Sequence, residues 1–204
     1  NLLTMQMANL YQEPFNDILL AGQYQHSKNL SSLLQNNKKI QKPIYHNLTK
    51  QGHHFTHTQP LLSSIMLLGF LQTLNLFSEK EIQNLFLTSY FKDIGMSFIP
   101  REKFELAHLE EFDKKLFSDH SQNSMNVLNG RLPFNKRELD IIKNHHYLNY
   151  KIQALANGDP IEQEFISGVE SAVISSIDIL VAMINPRPYR EAMSPFKALE
   201  LLKL

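Results

Sequence analysis

Along most of this chain apolar residues recur at three- and four-residue intervals, the spacing of one helix face. Nowhere do they alternate as in a half-buried strand. Within residues 1–50 the pattern predicts two or three helices with polar gaps. Short apolar stripes occupy residues 16–23 and 30–35, residues 36–39 are a polar break, and Pro43 opens a further short helix with Ile44, Tyr45 and Leu48 on one side. The most apolar run, residues 61–77, contains Ser63, Ser64, Gln72, Thr73 and Asn75. It falls short of the ~20 residues that span a bilayer and reads as a buried core helix. Ser78 and Glu81 form a capping box that opens a helix to Phe91, with Ile82, Leu85, Phe86, Ser89 and Tyr90 as its stripe.

Residues 100–117 are charged and helical in pattern, with a break near His108. Ser121 or Ser124 then caps a short helix that stops at Leu128, before Asn129-Gly130. Asn135, with Glu138 three residues on, starts a helix to Tyr150 whose apolar face is Leu139 and Ile142. A turn at residues 156–160 leads to a long helix, 161–184, with Phe165, Val169, Ala172, Val173, Ile177 and Val181 on its buried side. Two prolines in residues 185–190 end it. A last helix, 196–204, follows Ser194-Pro195 with Leu199 and Leu202 facing in. The expected fold is all-α: a helical bundle over 51–204, with 1–50 as a helical N-terminal extension or connector.

Composition narrows the possibilities. Lys and Arg number 20, as do Asp and Glu, so nothing draws the chain to a nucleic-acid polymer or an anionic membrane. The absence of Cys removes disulfides, a thiolate nucleophile and Cys-based metal sites, and fits a reducing, cytoplasmic setting. No signal peptide is visible, and a start at Asn1 suggests a piece of a longer protein.

The candidate chemistry lies on the apolar faces. Asp93 continues the face of Ile82, Phe86 and Tyr90 and is flanked by Phe91, Ile94 and Phe98. A carboxylate desolvated there needs a metal, a cation or several N–H donors. Lys92, Lys143 and Arg187 are the candidate cations. Asp178 is a second carboxylate among Ile174, Ile177, Val181 and Ala182. His53, His54 and His57 surround the start of the core helix. His120 follows the charged stretch, and His145 and His146 stand where a core stripe would continue. Each histidine could simply be hydrogen-bonded in place. As a set with the two Asp, they suit Fe, Mn, Zn or Ni better than Ca or Mg. One carboxylate can also bridge two ions ~3.5–4 Å apart, as in two-metal hydrolases.

The order of these features resembles the HD-GYP domains, a bacterial branch of the HD phosphohydrolase superfamily, from about His57 to Leu204. His57 at the start of a core helix, KDIGMSFIP at 92–100, His120 with Ser124, IIKNHH ending in His145-His146, and Asp178 before the RPYR segment follow the family's sequence of motifs. The resemblance implies an all-helical domain that binds divalent metal, iron or manganese foremost, and hydrolyses cyclic di-GMP, often as a homodimer. Carried over, one ion would take Asp93, His120, His145 and His146. A second would take His57, the histidine of the HD pair, Asp93 and Asp178. Arg187 and Arg190 would meet the phosphates or guanine.

The departures fall on the chemistry. Lys92 stands for the HD histidine, Met96 for the lysine after HDIG and Tyr147 for a glutamate, and YLNYKIQAL replaces the DGxGYP run. Lys92 would put an ammonium where one ion should sit and pair with Asp93 or Asp178. The expected function is therefore a degenerate domain of low or no activity, with one ion or none, that senses a ligand or binds a protein partner in signalling. The alternative is an active phosphodiesterase with a reduced metal site.

Overall fold

The computed structural model describes residues 2–50, 52–106, 108, 110–146, 154, 157–158, 168–188 and 190–202. Among these, nine α-helices and two 3-10 turns form an all-α fold. The helices are α1 (Leu2–Gln12), α2 (Asp17–Asn36), α3 (Lys38–Lys50), α4 (Phe55–Leu74), α5 (Glu79–Phe91), α6 (Glu111–Leu128), α7 (Lys136–Asn144), α8 (Gly168–Ile184) and α9 (Pro195–Leu202). The turns span Ile94–Phe98 and Arg101–Glu105. The nearest approach to a strand among the described residues is one antiparallel bridge between Arg187 and Arg190.

Helix α4 is apolar nearly all round, the mark of a helix enclosed by others. It packs on α5 most extensively, then on α8, α3 and α1. Its partner α5 opens on the capping box of Ser78 and Glu81, and Asn135 and Glu138 form the same device at α7. One cluster of buried apolar side chains runs from Met7 in α1 to Val181 in α8. No helix among the described residues is long and apolar enough to cross a membrane.

Several boundaries differ from the sequence pattern, and in α2 and α6 the cause is polar residues on buried faces. Helix α2 is continuous because its inward line is Leu20, Gln23, Ser27, Ser31 and Leu34. The three polar members read as a gap, yet Gln23 bonds the Leu3 carbonyl and the Tyr90 hydroxyl, and Ser27 bonds the Tyr24 carbonyl. Helix α6 likewise runs unbroken through Ser121 and Ser124, so neither serine is a cap. Pro43 lies inside α3 instead of opening it.

On α8, Ile177 and Val181 are buried as expected, whereas Val169 and Ala172 face outward. On α9 the buried residue is the small Ala198, while Leu199 is half exposed and Leu202 only partly covered. Tyr147, Phe165 and most of the expected 156–160 turn lie outside the described residues.

Candidate metal centre

The centre is built where α5 ends. Lys92 caps α5, its N–H bonding the Thr88 carbonyl, and the first 3-10 turn begins at once. Gly95 brings that turn against α6. A Cβ on it would lie 2.0 Å from the His120 carbonyl oxygen and 2.5 Å from the Ser124 nitrogen, so only glycine permits so close an approach. Ser124 then locks the contact. Its hydroxyl accepts from the Gly95 N–H at 2.8 Å and donates to the Lys92 carbonyl at 2.6 Å. His120 sits one turn earlier on the same face of α6 and is thereby held against Asp93.

A second fixing point comes from α1. Pro60 lies inside α4, so the Thr56 carbonyl four residues earlier has no helical N–H to accept. The buried Tyr11 hydroxyl takes that carbonyl at 3.2 Å and shares its proton with the Asp93 carbonyl at 3.1 Å. Sequence reading missed Tyr11, because nothing near it signals chemistry. The helix-interior proline was the available clue.

The structure brings together four of the expected ligands. One ligand atom from each of Asp93, His120, His145 and His146 lies within 4.8 Å of the others. His145 Nε2 is 3.0 Å from Asp93 Oδ1 and 3.2 Å from His120 Nε2, which lies 3.1 Å from His146 Nε2 and 3.4 Å from Asp93 Oδ1. Ligands sharing one ion at ~2.1 Å stand roughly 3–3.5 Å apart, so the spacing fits.

The protons fit too. His145 Nδ1 faces the Ile142 carbonyl at 2.6 Å, and His120 Nδ1 faces that of Phe117. A carbonyl only accepts, so each Nδ1 carries the hydrogen and each Nε2 turns a lone pair inward. Ser175 secures the segment through the His145 carbonyl at 2.6 Å.

Burial pushes His145 below its ordinary pKa despite the Asp93 carboxylate, and burial with His145 and His120 alongside takes His146 down to about 2. The imidazoles of His145 and His146 are therefore neutral, as metal ligands must be. Two such lone pairs facing each other at 3.2 Å beside a carboxylate lack a positive centre between them. The group could hold a metal ion and is compatible with an HD-type site.

The other side of Asp93 is different. Lys92 is fully buried, and its ammonium pairs with Asp93 Oδ2 and, at 3.0 Å, with Asp178 Oδ1. Burial opposes its charge, but Asp178 and Asp93 outweigh that and raise its pKa. For Asp93, burial likewise acts against the charged form. Lys92 and the His120 and His145 contacts prevail and hold the carboxyl well below the usual range. Asp178 also accepts from Ser63 Oγ at 3.0 Å and Gln59 Nε2 at 3.3 Å. One ammonium thus serves two carboxylates, which leaves one negative charge over and favours a further cation.

His57 is not in this group. It lies in the first turn of α4, edge-on to Tyr11, with ring centroids 5.1 Å apart, and 5.9 Å from the ring of His54. Burial, with His54, Arg101 and His53 nearby, lowers its pKa to about 4. Arg187 donates to Gln59 Oε1 at 2.6 Å and lies over the Phe55 ring, and Arg190 donates to the Ala182 carbonyl. Comparison with protein-family models, curated proteins and solved structures finds no match for the chain.

Proposed function

We propose that this chain is a degenerate HD-GYP-type domain, related to metal-dependent cyclic di-GMP phosphodiesterases, in which one divalent ion remains and Lys92 takes the place of another. In this reading it hydrolyses cyclic di-GMP slowly or not at all. It acts in signalling, by sensing a cyclic dinucleotide or by binding a protein partner. The observation that supports the reading is the buried Lys92 ammonium, paired with both Asp93 and Asp178. In two-metal hydrolysis both ions hold the scissile phosphate and one generates the nucleophile. An ammonium can neutralise a phosphate oxygen, but it cannot lower the pKa of a bound water.

Iron or manganese would be held by Asp93, His120, His145 and His146 and would supply Lewis acidity there. Arg187 would turn to the ligand from a cavity of about 410 Å³ that Lys50, His53 and Phe55 also line. Arg190, bridged to it, would lie at the rim.

Elemental analysis of protein purified without chelator is expected to find a single iron or manganese ion, lost in His145→Ala, with cyclic di-GMP turnover at background. Binding without turnover, weakened by Arg187→Ala, marks a sensor; no binding marks a protein-interaction module. Vigorous turnover that His145→Ala abolishes would overturn the degenerate reading. It would establish the second one, an active phosphodiesterase with a reduced site, which the complete four-ligand group favours.

A further inference from the structure

One side chain joins the cavity of about 410 Å³ to the metal centre. Gln59 lines that cavity together with Arg187, and both residues are half-buried. Gln59 Oε1 accepts from Arg187 Nη2 at 2.6 Å, and Gln59 Nε2 donates to Asp178 Oδ1 at 3.3 Å. The same Asp178 oxygen takes the Lys92 ammonium at 3.0 Å, and that ammonium also holds Asp93 Oδ2. Asp93 Oδ1 in turn meets His145 and His120. An unbroken line of polar contacts therefore runs from the cavity wall to the imidazoles.

Chemistry fixes the sense of this line. A guanidinium only donates and a carboxylate only accepts, so a single orientation of the Gln59 amide satisfies both neighbours. Its carbonyl end lies at the cation and its amino end at the anion. The cation polarises the amide and strengthens the bond that Nε2 gives to Asp178. Ser63, one turn further along α4, donates to the same oxygen at 3.0 Å. Asp178 is thus served from one face of α4 and by Lys92, and it shares Lys92 with Asp93. The sharing makes the line responsive. When Arg187 leaves Gln59, the amide donates more weakly and Asp178 draws harder on Lys92. The ammonium then neutralises Asp93 less, and Asp93 presents more negative charge to the imidazole side.

We infer that Gln59 is a positioning residue that transmits the state of Arg187 to the Lys92–Asp93 pair, so that an anionic ligand drawing Arg187 into the cavity tightens the binding of metal at the centre. Lys50 and His53 on the same wall favour an anion as that ligand. By linkage, the metal tightens that ligand by the same factor. The cavity and the centre then report on each other although none of the four clustered metal ligands lines the cavity. The inference deepens the proposed sensing role and rests on it for the metal; the line of contacts does not depend on the family reading.

The test is a double-mutant cycle on Gln59 and Arg187, read by manganese(II) affinity and by the ¹⁵N NMR signal of the Lys92 ammonium. Arg187→Met is expected to tighten manganese about fivefold, the lower end of ordinary coupling between sites, and to move the Lys92 signal. In the Gln59→Met background, where the amide is gone and its volume kept, Arg187→Met should change neither. Circular dichroism verifies folding, and Arg187→Gln, which also removes the charge, replaces Arg187→Met should that variant unfold. An equal response in both backgrounds overturns the inference and shows that Arg187 acts through space as a bare charge. So do a manganese affinity and a Lys92 signal that Arg187→Met leaves unchanged in the wild-type background. Failure of the wild type to take up manganese defeats the metal-centre reading instead, and the Lys92 signal then decides the role of Gln59 by itself.

Discussion

Asp93 has two oxygens, and the two sides of the molecule they face have answered the same electrostatic demand differently. Oδ1 faces three imidazoles whose Nε2 atoms converge beside it. Oδ2 faces Lys92, an ammonium already fixed by two carboxylates. The first side is a ligand set that could hold a cation from solution. The second carries its cation on the chain. A buried carboxylate therefore does not by itself specify a metal. It specifies positive charge, and the neighbouring residues decide where that charge comes from.

The largest effect should come from removing the built-in cation. Lys92→Met leaves Asp93 and Asp178 facing each other without it, and breaking such a buried pair costs about 3–5 kcal/mol. A denaturant midpoint within error of wild type would show that the pair contributes little. Lys92→His is the sharper variant. On the family resemblance it restores a ligand, and the bound ion count should rise from one to two in elemental analysis. An unchanged count would separate the two sides of Asp93 for good.

Next in size is metal loading of the imidazole side. At a hundredfold excess over Kd an ion that binds only the folded state adds about 2.7 kcal/mol, which for a chain this long raises Tm by roughly 5–10 °C. Iron(II) or manganese should produce that rise in wild type and not in His145→Ala. Equal rises in both would place the ion elsewhere.

Acidity should affect the imidazole side as well. His145 has a folded pKa below its ordinary 6.5 because it is buried, so the unfolded chain binds this proton more readily. Its contribution to stability is whole above pH 6.5 and falls as pH drops below that value, by up to about 1.4 kcal/mol per unit. Unfolding midpoints between pH 7 and 5 measure the slope, and His145→Gln should flatten it.

The smallest predicted effect is at Tyr11→Phe, which removes one donor from two buried carbonyls at a cost of about 1–2 kcal/mol. A thermal-melt difference near zero would mean water replaces the hydroxyl.

Much of the fold and of the centre was legible from the residues. The capping boxes at Ser78 and Asn135 are local chemistry, and both form. The enclosure of α4 followed from its apolar composition, and the desolvation of Asp93 from the face it continues. The failures share a physical origin. Gln23, Ser27, Ser31 and Ser124 are polar side chains turned inward, Gln23 and Ser124 satisfied by groups distant in sequence and Ser27 and Ser31 by groups of their own helix. A hydrophobicity pattern treats such positions as solvent-facing and cuts the helix there. Tyr11 was missed for a related reason. Its partner is a carbonyl freed by a proline 49 positions away. That relation leaves no periodic trace.

The covalent tether of the Lys92 ammonium has a consequence for how the protein meets its surroundings. An ion drawn from solution can be exchanged for a competitor, stripped by a chelator or withheld when the cell is starved of it. None of this can happen to Lys92. On the proposed reading, one half of this centre responds to metal supply and the other is indifferent to it, so the fold keeps its charge balance around Asp178 whatever ion is scarce.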